Sequence, residues 1–410
     1  MANDNPQSSE EEKKQKEKLK TDMFSSLVRR GKQPRTWSEL GLSTLKYLPA
    51  QIGMVQNFMK AINWKEAQAE VLKNLNNTVV LVGQPNTGKS TLFNKLKGQN
   101  LSPASAQAGN TRTMVRTDFG PFTLVDTPGH LPDIMESGMD QASVIVFLID
   151  ASRGLQNDDR ELYKTIKHLN KPTIIVVNKV DSLKGGEAGD QFATEVAVLL
   201  NSPGVIPVSA RTGQNVVEEL IPAIIEASPE AALAIGRELP AFRRDAAQRI
   251  IRNATLLSLA AGIEPIPLID IPILLGIQAR LVLRMAALYG EPLDSADAMK
   301  HARELIVTMV GGLGLRFLAE QVAKVVPFGG DLVAGAIAGA ATWSIGEVAL
   351  EYYESGKHLS PTRIRQLYMG FYQRFRKENR AKLLQEEAAK QAEIGTQDPL
   401  ALLEEPKGTV

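Results

Sequence analysis

Two short stretches carry residue types whose spacing can hold a triphosphate and choose its base. The first is Gly83-Gln84-Pro85-Asn86-Thr87-Gly88-Lys89-Ser90, a G-x-x-x-x-G-K-S loop, followed by Thr91. Its glycines allow backbone angles that aim successive N–H groups at phosphate oxygens, and a helix starting at the end of the loop adds positive potential. Lys89 has the reach and charge for the β- and γ-phosphates, and the Ser90 hydroxyl can ligate Mg²⁺. The second stretch is Asn178-Lys179-Val180-Asp181. The Asp181 carboxylate can accept both the N1–H and the exocyclic amine of guanine, a donor pair that adenine does not present. Lys179 would cover the base plane and Asn178 would tie this loop to the phosphate loop. Ser209-Ala210, at the head of Ser209-Ala210-Arg211-Thr212-Gly213, would complete the base pocket by backbone contact.

Between these stretches lies Asp126-Thr127-Pro128-Gly129. Asp126 can hold a Mg²⁺-bound water and the Gly129 N–H can hold the γ-phosphate. Both contacts vanish when that phosphate leaves, so the segment can relax on hydrolysis. Upstream, Gly109-Asn110-Thr111-Arg112-Thr113 offers Thr111 as a second Mg²⁺ ligand, with Thr113 its nearest rival. His130, directly after Gly129, can donate a hydrogen bond and titrates near neutrality, so it can orient an attacking water. A solvent-facing loop histidine is the competing reading.

The elements that must position these residues can be read from hydrophobic pattern. Thr78 to Val82, Phe122 to Val125, Ser143 to Ile149, Thr173 to Val177 and Val205 to Val208 are short runs rich in β-branched residues that read as buried strands. The first, second, fourth and fifth lead into the stretches above. Helical spacing over Thr91–Leu96, Asp158–His168 and Asn215–Ala227 alternates with them. This order predicts an α/β fold: a doubly wound, mostly parallel sheet with a nucleotide at the strand C-termini. The expected organisation is a disordered polar tail over 1–22, an N-terminal helical segment over 23–75, a G domain over 76–228, an all-helical domain over 240–382 and a mobile tail over 383–410. Trp37 and Trp64 are expected as packing anchors of the N-terminal helices.

Residues of about 75 to 227 resemble the small GTPase domains of the Era, EngA and TrmE group, with a related look to the G domains of ferrous-iron transporters. The resemblance rests on five guanine-nucleotide motifs in order. It implies a Mg²⁺-dependent enzyme that binds GTP and GDP, with Lys89, Thr111 and Gly129 in the hydrolytic machinery, which His130 would join on its likeness to translational GTPases. Ser90, Thr111 and Asp126 would serve the metal. Asn86 matches the asparagine that in several members helps to hold K⁺ beside the phosphates, charge that other GTPases take from an arginine. His130 departs from the family, whose members are apolar there, and is similar in this to translational GTPases.

Composition bounds what remains. The 410 residues carry formal charge +1 and no cysteine, which excludes disulfides, Fe–S clusters and thiol nucleophiles, and the four histidines are too dispersed to suggest a zinc site. The first residues lack the apolar core of a secretion signal. Apolar segments over 254–276 and 322–350 are interrupted by Glu264, Asp270, Asp331 and prolines, whereas a spanning helix needs about 20 mostly apolar residues. A soluble bundle is expected, with docking at a membrane as the second reading and spanning the third. Gly335 and Gly339 have a spacing that lets helices approach closely. Residues of about 245 to 355 resemble the DUF697-like domain found behind Era-like GTPases in bacteria, through Pro267-Leu268-Ile269-Asp270, Gln278, Arg280 and Leu288-Tyr289-Gly290. From Pro361 a basic amphipathic helix alternates Arg363, Arg365, Arg374, Arg376, Lys377 and Arg380 with Leu367, Tyr368, Phe371, Tyr372 and Phe375.

The expected function is a GTP-hydrolysing switch that meets a protein partner or a membrane surface on its cytoplasmic side. A homodimer through the G or helical domain is a further expected contact. The alternative is an RNA- or ribosome-associated GTPase, weakened because no KH motif or aromatic sheet motif for RNA is found.

Overall fold

The computed structural model describes residues 62–73, 75, 79–98, 116–125, 139, 142–261, 270–322 and 331–378. Preceding the sheet is α1 (Trp64–Lys73). The strands are β1 (Val79–Gly83), β2 (Arg116–Phe119), β3 (Phe122–Val125), β4 (Val144–Asp150), β5 (Thr173–Asn178) and β6 (Val205–Pro207). Between and after them run α2 (Lys89–Lys97), α3 (Asn157–His168), α4 (Ala188–Leu200) and α5 (Ile221–Ala227). The sheet order is β2-β3-β1-β4-β5-β6, parallel throughout except where β2 pairs antiparallel with β3. That hairpin turns at Gly120, whose φ of 53° suits a residue without Cβ.

Both faces of the sheet are covered, which explains why β1 and β4 read as unbroken apolar runs instead of alternating ones. Val79 and Leu81 join a core with Leu92 and Leu96 of α2 and Ile221, Ile224 and Ile225 of α5. Val80 and Val82 face the other way, into a core with Leu162, Tyr163 and Ile166 of α3 and Val196 and Leu200 of α4. Register pairs Leu81 with Val146 and Val82 with Phe147, so each layer runs straight across β1 and β4. A π-helical turn, Val216–Leu220, leads into α5 where the sequence suggests one continuous helix.

The rest is helical: α6 (Pro229–Glu238), α7 (Arg243–Ala261), α8 (Asp270–Leu288), α9 (Ala296–Val322), α10 (Asp331–Glu354) and α11 (Pro361–Lys377). Ser228 caps α6, its hydroxyl accepting from the N–H groups of Glu230 and Ala231 at 3.2 and 3.3 Å, and Pro229 fills the first helical position. The next residues of α6, Ala231 to Gly236, are all buried, so α6 joins the sheet-side core through α5 to the bundle through α7 and α8. α1 also lies on the bundle: Trp64, Ala67 and Val71 are buried, Arg303 of α9 stacks 5.2 Å over the Trp64 ring, and Gln68 donates to the Leu293 carbonyl. Trp37 lies outside the described residues. Among the described residues no helix is long and apolar enough to cross a membrane.

Two features fix how the bundle helices meet. Gln278 of α8 donates to Thr342 of α10 at 3.2 Å, and Thr342 donates to Ser258 of α7 at 2.8 Å, a polar chain through a buried centre. Each group is costly unless paired, so the three helices have one favoured register. Beside it, Gly339 and Gly346 of α10 lie against Leu259 and Ile251 of α7, where an added Cβ would come within 2.7 Å of each side chain. Alanine is better than glycine in a helix by about 1 kcal/mol, but overpacking costs about 1–3 kcal/mol. Leu259 and Ile251 are buried and have little room to yield. Gly339→Ala and Gly346→Ala should therefore lower the urea midpoint, the double variant most; a raised midpoint would show that the seam is loose.

α11 covers the bundle with Ile364, Tyr368 and Phe375, all buried, and leaves Arg363, Arg365, Arg374 and Lys377 exposed. Its start is capped by Ser360, which accepts from the Arg363 N–H at 3.2 Å.

Candidate nucleotide-binding site

The phosphate loop occupies the turn between β1 and α2. Gly83 ends β1 packed so closely against β4 that a Cβ would lie 2.5 Å from the Leu148 carbonyl oxygen. Asn86 and Gly88 adopt left-handed backbone, φ 66° and 92°, and fold the loop back on itself. Thr87 secures it by donating from Oγ1 to the Gln84 carbonyl at 2.9 Å, and Gln84 donates to the Asp158 carbonyl at the start of α3 at 3.0 Å. Lys89 is buried and its Nζ donates to the carbonyls of Gly83 and Gln84 at 2.8 and 3.1 Å, which holds the charge against the loop. Gly88 stands at the N-cap of α2 and brings no side chain to it, leaving first-turn N–H groups for an anion. Pro85, Ser90 and Thr91 are exposed around this turn.

The base side is built at the ends of β5 and β6. Asn178 is buried and makes two bonds in opposite directions: Nδ2 donates to the Thr87 carbonyl at 2.8 Å, and Oδ1 accepts from the Ala210 N–H at 2.9 Å. One side chain thus joins the phosphate loop, the Asn-Lys-x-Asp stretch and the Ser209-Ala210 turn. Lys179 sits at φ 66° and its Nζ reaches Asp150, at the end of β4, at 2.6 Å. Burial pushes the Asp150 carboxyl up, but hydrogen bonds from Lys179 and Ser152 outweigh it and hold the group below the usual carboxylate range. Asp181 accepts from the Ser209 hydroxyl at 2.6 Å and pairs with Arg211; the Ser209 bond first, with Arg211 adding to it, keeps this carboxyl ionised below its ordinary range. The Thr212 N–H donates to Ser209 Oγ at 3.1 Å, which directs the Ser209 proton to Asp181.

Gly83 to Thr91, Asn178 to Asp181 and Ser209-Ala210 therefore lie together at the C-terminal ends of the parallel strands. Thr111, Thr113, Asp126, Gly129 and His130 lie outside the described residues. Asp150, Ser152 and Arg211 are participants that the motif reading passed over. An acid closing the unbroken run of β4 was the available signal for Asp150. The donor set fits a metal and a polyphosphate: Ser90 offers a hard oxygen of the kind Mg²⁺ prefers, and the helix start, uncapped by a side chain, would meet the anion.

The sequence model of the family described as "50S ribosome-binding GTPase" matches residues 78–179, and that of the "Domain of unknown function (DUF697)" matches residues 227–377. GTPase Era of Aquifex aeolicus is 35% identical over 173 residues, covering 37% of this chain and 56% of that protein. GTPase Der of Thermoanaerobacter pseudethanolicus is 35% identical over 170 residues, covering 38% of each chain. A crystal structure of Aquifex aeolicus Era bound to GDP.AlF4- is 31% identical over 44% of this chain and 67% of that one, with a TM-score of 0.30. The matched part thus spans a little over half of this Era and well under half of this Der. The chain carries a P-loop GTPase domain of the Era and Der kind, matched over residues 78–179, fused to a DUF697 domain matched over residues 227–377.

Proposed function

We propose that the chain binds GTP and GDP with Mg²⁺ and hydrolyses GTP to GDP and phosphate. The observation that carries this reading is the Asn178 amide, which joins the phosphate-binding and base-binding loops through one buried side chain. Lys89 would hold the β- and γ-phosphates and Asp181 the guanine edge. Ser90 would ligate Mg²⁺, with Thr111 and Asp126 completing the metal side and the Gly129 N–H meeting the γ-phosphate. Held there, Mg²⁺ would supply positive charge against the charge that develops on the transferred phosphoryl group.

Hydrolysis is assigned to the segment Asp126-Thr127-Pro128-Gly129 and the His130 that follows it. His130→Ala should leave GTP affinity within a few fold, since Lys89, Ser90 and Asp181 remain, and should slow single-turnover hydrolysis by roughly tenfold or more through lost positioning of the attacking water. Lys89→Ala serves as the contrast, damaging binding and chemistry together. Parental rates in His130→Ala would leave the water to backbone groups. Asn86, at φ 66° in the loop, would take part in a K⁺ site beside the phosphates. Turnover at constant ionic strength should then be faster in K⁺ than in Na⁺, and Asn86→Ala should remove most of the difference. Equal rates in both salts in the parent chain would dispose of this site.

The wider role we assign is a nucleotide-dependent switch acting at a membrane surface on its cytoplasmic side or at a protein partner. The exposed basic face of α11 supports a role at an acidic surface. Fractionation of the native protein with GDP and with a non-hydrolysable GTP analogue, followed by identification of the lipid, protein and RNA carried along, tests it. Identical fractions in both nucleotides would end the switch reading.

A further inference from the structure

A cavity of about 580 Å³ opens between the G domain and the bundle, at the pole opposite the phosphate loop. It lies under the N-terminal ends of β4 and β5, at Ser143 and Pro172, and beside the Ser228-Pro229 junction. Leu257 of α7 with Ile277 and Leu281 of α8 make an apolar wall. The charged part of the lining is of mixed sign: Lys171, Arg280 and Arg284 with Glu70 of α1 and Glu230 at the start of α6. Its size and its place at a domain junction are those of ligand pockets, which commonly run to about 300–1,000 Å³.

Arg284 shows what is missing from this lining. It is 9% exposed, so its charge needs strong acceptors. A guanidinium has five N–H donors. Arg284 uses Nη2 alone, toward Glu70 and Glu230, both at 3.4 Å, and its Nε and Nη1 find no acceptor among the described residues. Charge-assisted bonds normally close to about 2.7–2.9 Å. Glu70 is shared: its Oε2 accepts from Arg280 Nε at 2.5 Å while Oε1 faces Arg284 at the longer distance. Lys171 also has no carboxylate partner among the described residues.

We propose that this cavity binds a small oxyanion carried on an apolar body, a carboxylate or phosphate head meeting Arg284 and Lys171 while the tail lies along Leu257, Ile277 and Leu281. The head competes with Glu70 for Arg284, so binding loosens the ion pair between Glu70 of α1 and Arg284 of α8. This site is separate from the nucleotide loops and does not depend on the chain being a GTPase.

The test is calorimetric titration of the full chain with dodecanoate, dodecyl phosphate, dodecanol and inorganic phosphate, each below its aggregation threshold. One or both amphiphilic anions should bind saturably at one site, the tighter one identifying the head group. Arg284→Gln and the wall-filling Ala254→Phe should each weaken binding by roughly tenfold or more, the loss of a charge-assisted hydrogen bond or of tail space. Glu70→Gln should tighten it severalfold by removing the competing carboxylate. Thermal melts establish that each variant is folded, and Lys171→Gln replaces Arg284→Gln if the latter is not. No saturable binding by either anion, dodecanol binding as tightly as both, inorganic phosphate alone binding as tightly as both, or undiminished binding by Ala254→Phe would each overturn the proposal.

Discussion

Asp181→Asn should turn a guanine site into a xanthine site. Two hydrogen bonds to a charged acceptor, at about 1.5–3 kcal/mol each, correspond to roughly 10²- to 10⁴-fold in GTP affinity. Xanthine carries a carbonyl where guanine carries the amine, so an amide accepts from its N1–H and donates to that carbonyl. The exchange is well tolerated locally, because the Ser209 hydroxyl can still donate to Oδ1 and the Arg211 partner is exposed. Titration with GTP, ATP and XTP reads the outcome, and a variant that keeps its preference for GTP would refute the placement of the base. The same carboxyl sets the acid limit. Its pKa is lowered by Ser209 and Arg211, so it stays ionised through mildly acidic pH and selectivity fails only as pH falls through that lowered value.

Asn178→Ala should be the most damaging single change that touches no phosphate. It strands the Thr87 carbonyl and the Ala210 N–H in a buried setting, at about 1–3 kcal/mol for each unpaired group. The phosphate and base loops also lose their common fastener, so GDP affinity should drop by roughly tenfold or more beyond the loss of stability, the scale of one further hydrogen bond. Asn178→Asp sharpens the test. It keeps an acceptor for Ala210 but sets an oxygen against the Thr87 carbonyl, and it should be no better than alanine. Urea melts and GDP titrations of both variants check this; an Asn178→Asp protein close to the parent would mean that the bond to Thr87 is dispensable. Crowding at the same point explains Gly88, where any Cβ would run into the Asn178 amide.

The phosphate and base loops were legible because their chemistry needs fixed residue types at fixed spacing, and because buried parallel strands announce themselves as unbroken β-branched runs. β2 was not legible. Arg116-Thr117-Asp118-Phe119 is a mostly polar edge strand whose only cue is the Gly120-Pro121 turn after it. α6 was passed over for the opposite reason. Buried almost all round, it has no polar stripe to mark its period, although Ser228-Pro229-Glu230 offered a cap and a first-position proline. The ion pairs between α1 and α8 join residues more than 200 positions apart, Glu70 with Arg280, a pairing that local pattern cannot supply.

The core that begins under β1 continues through α5 and α6 into the bundle without a break. The seam between the two families in the sequence is thus not a seam in the folded molecule. Genes can splice such parts as separate inheritances, but once α6 has filled the space between them neither keeps a finished surface of its own. A lineage that later shed the bundle would have to repaint the exposed side of α5 with polar residues before the G domain could live alone.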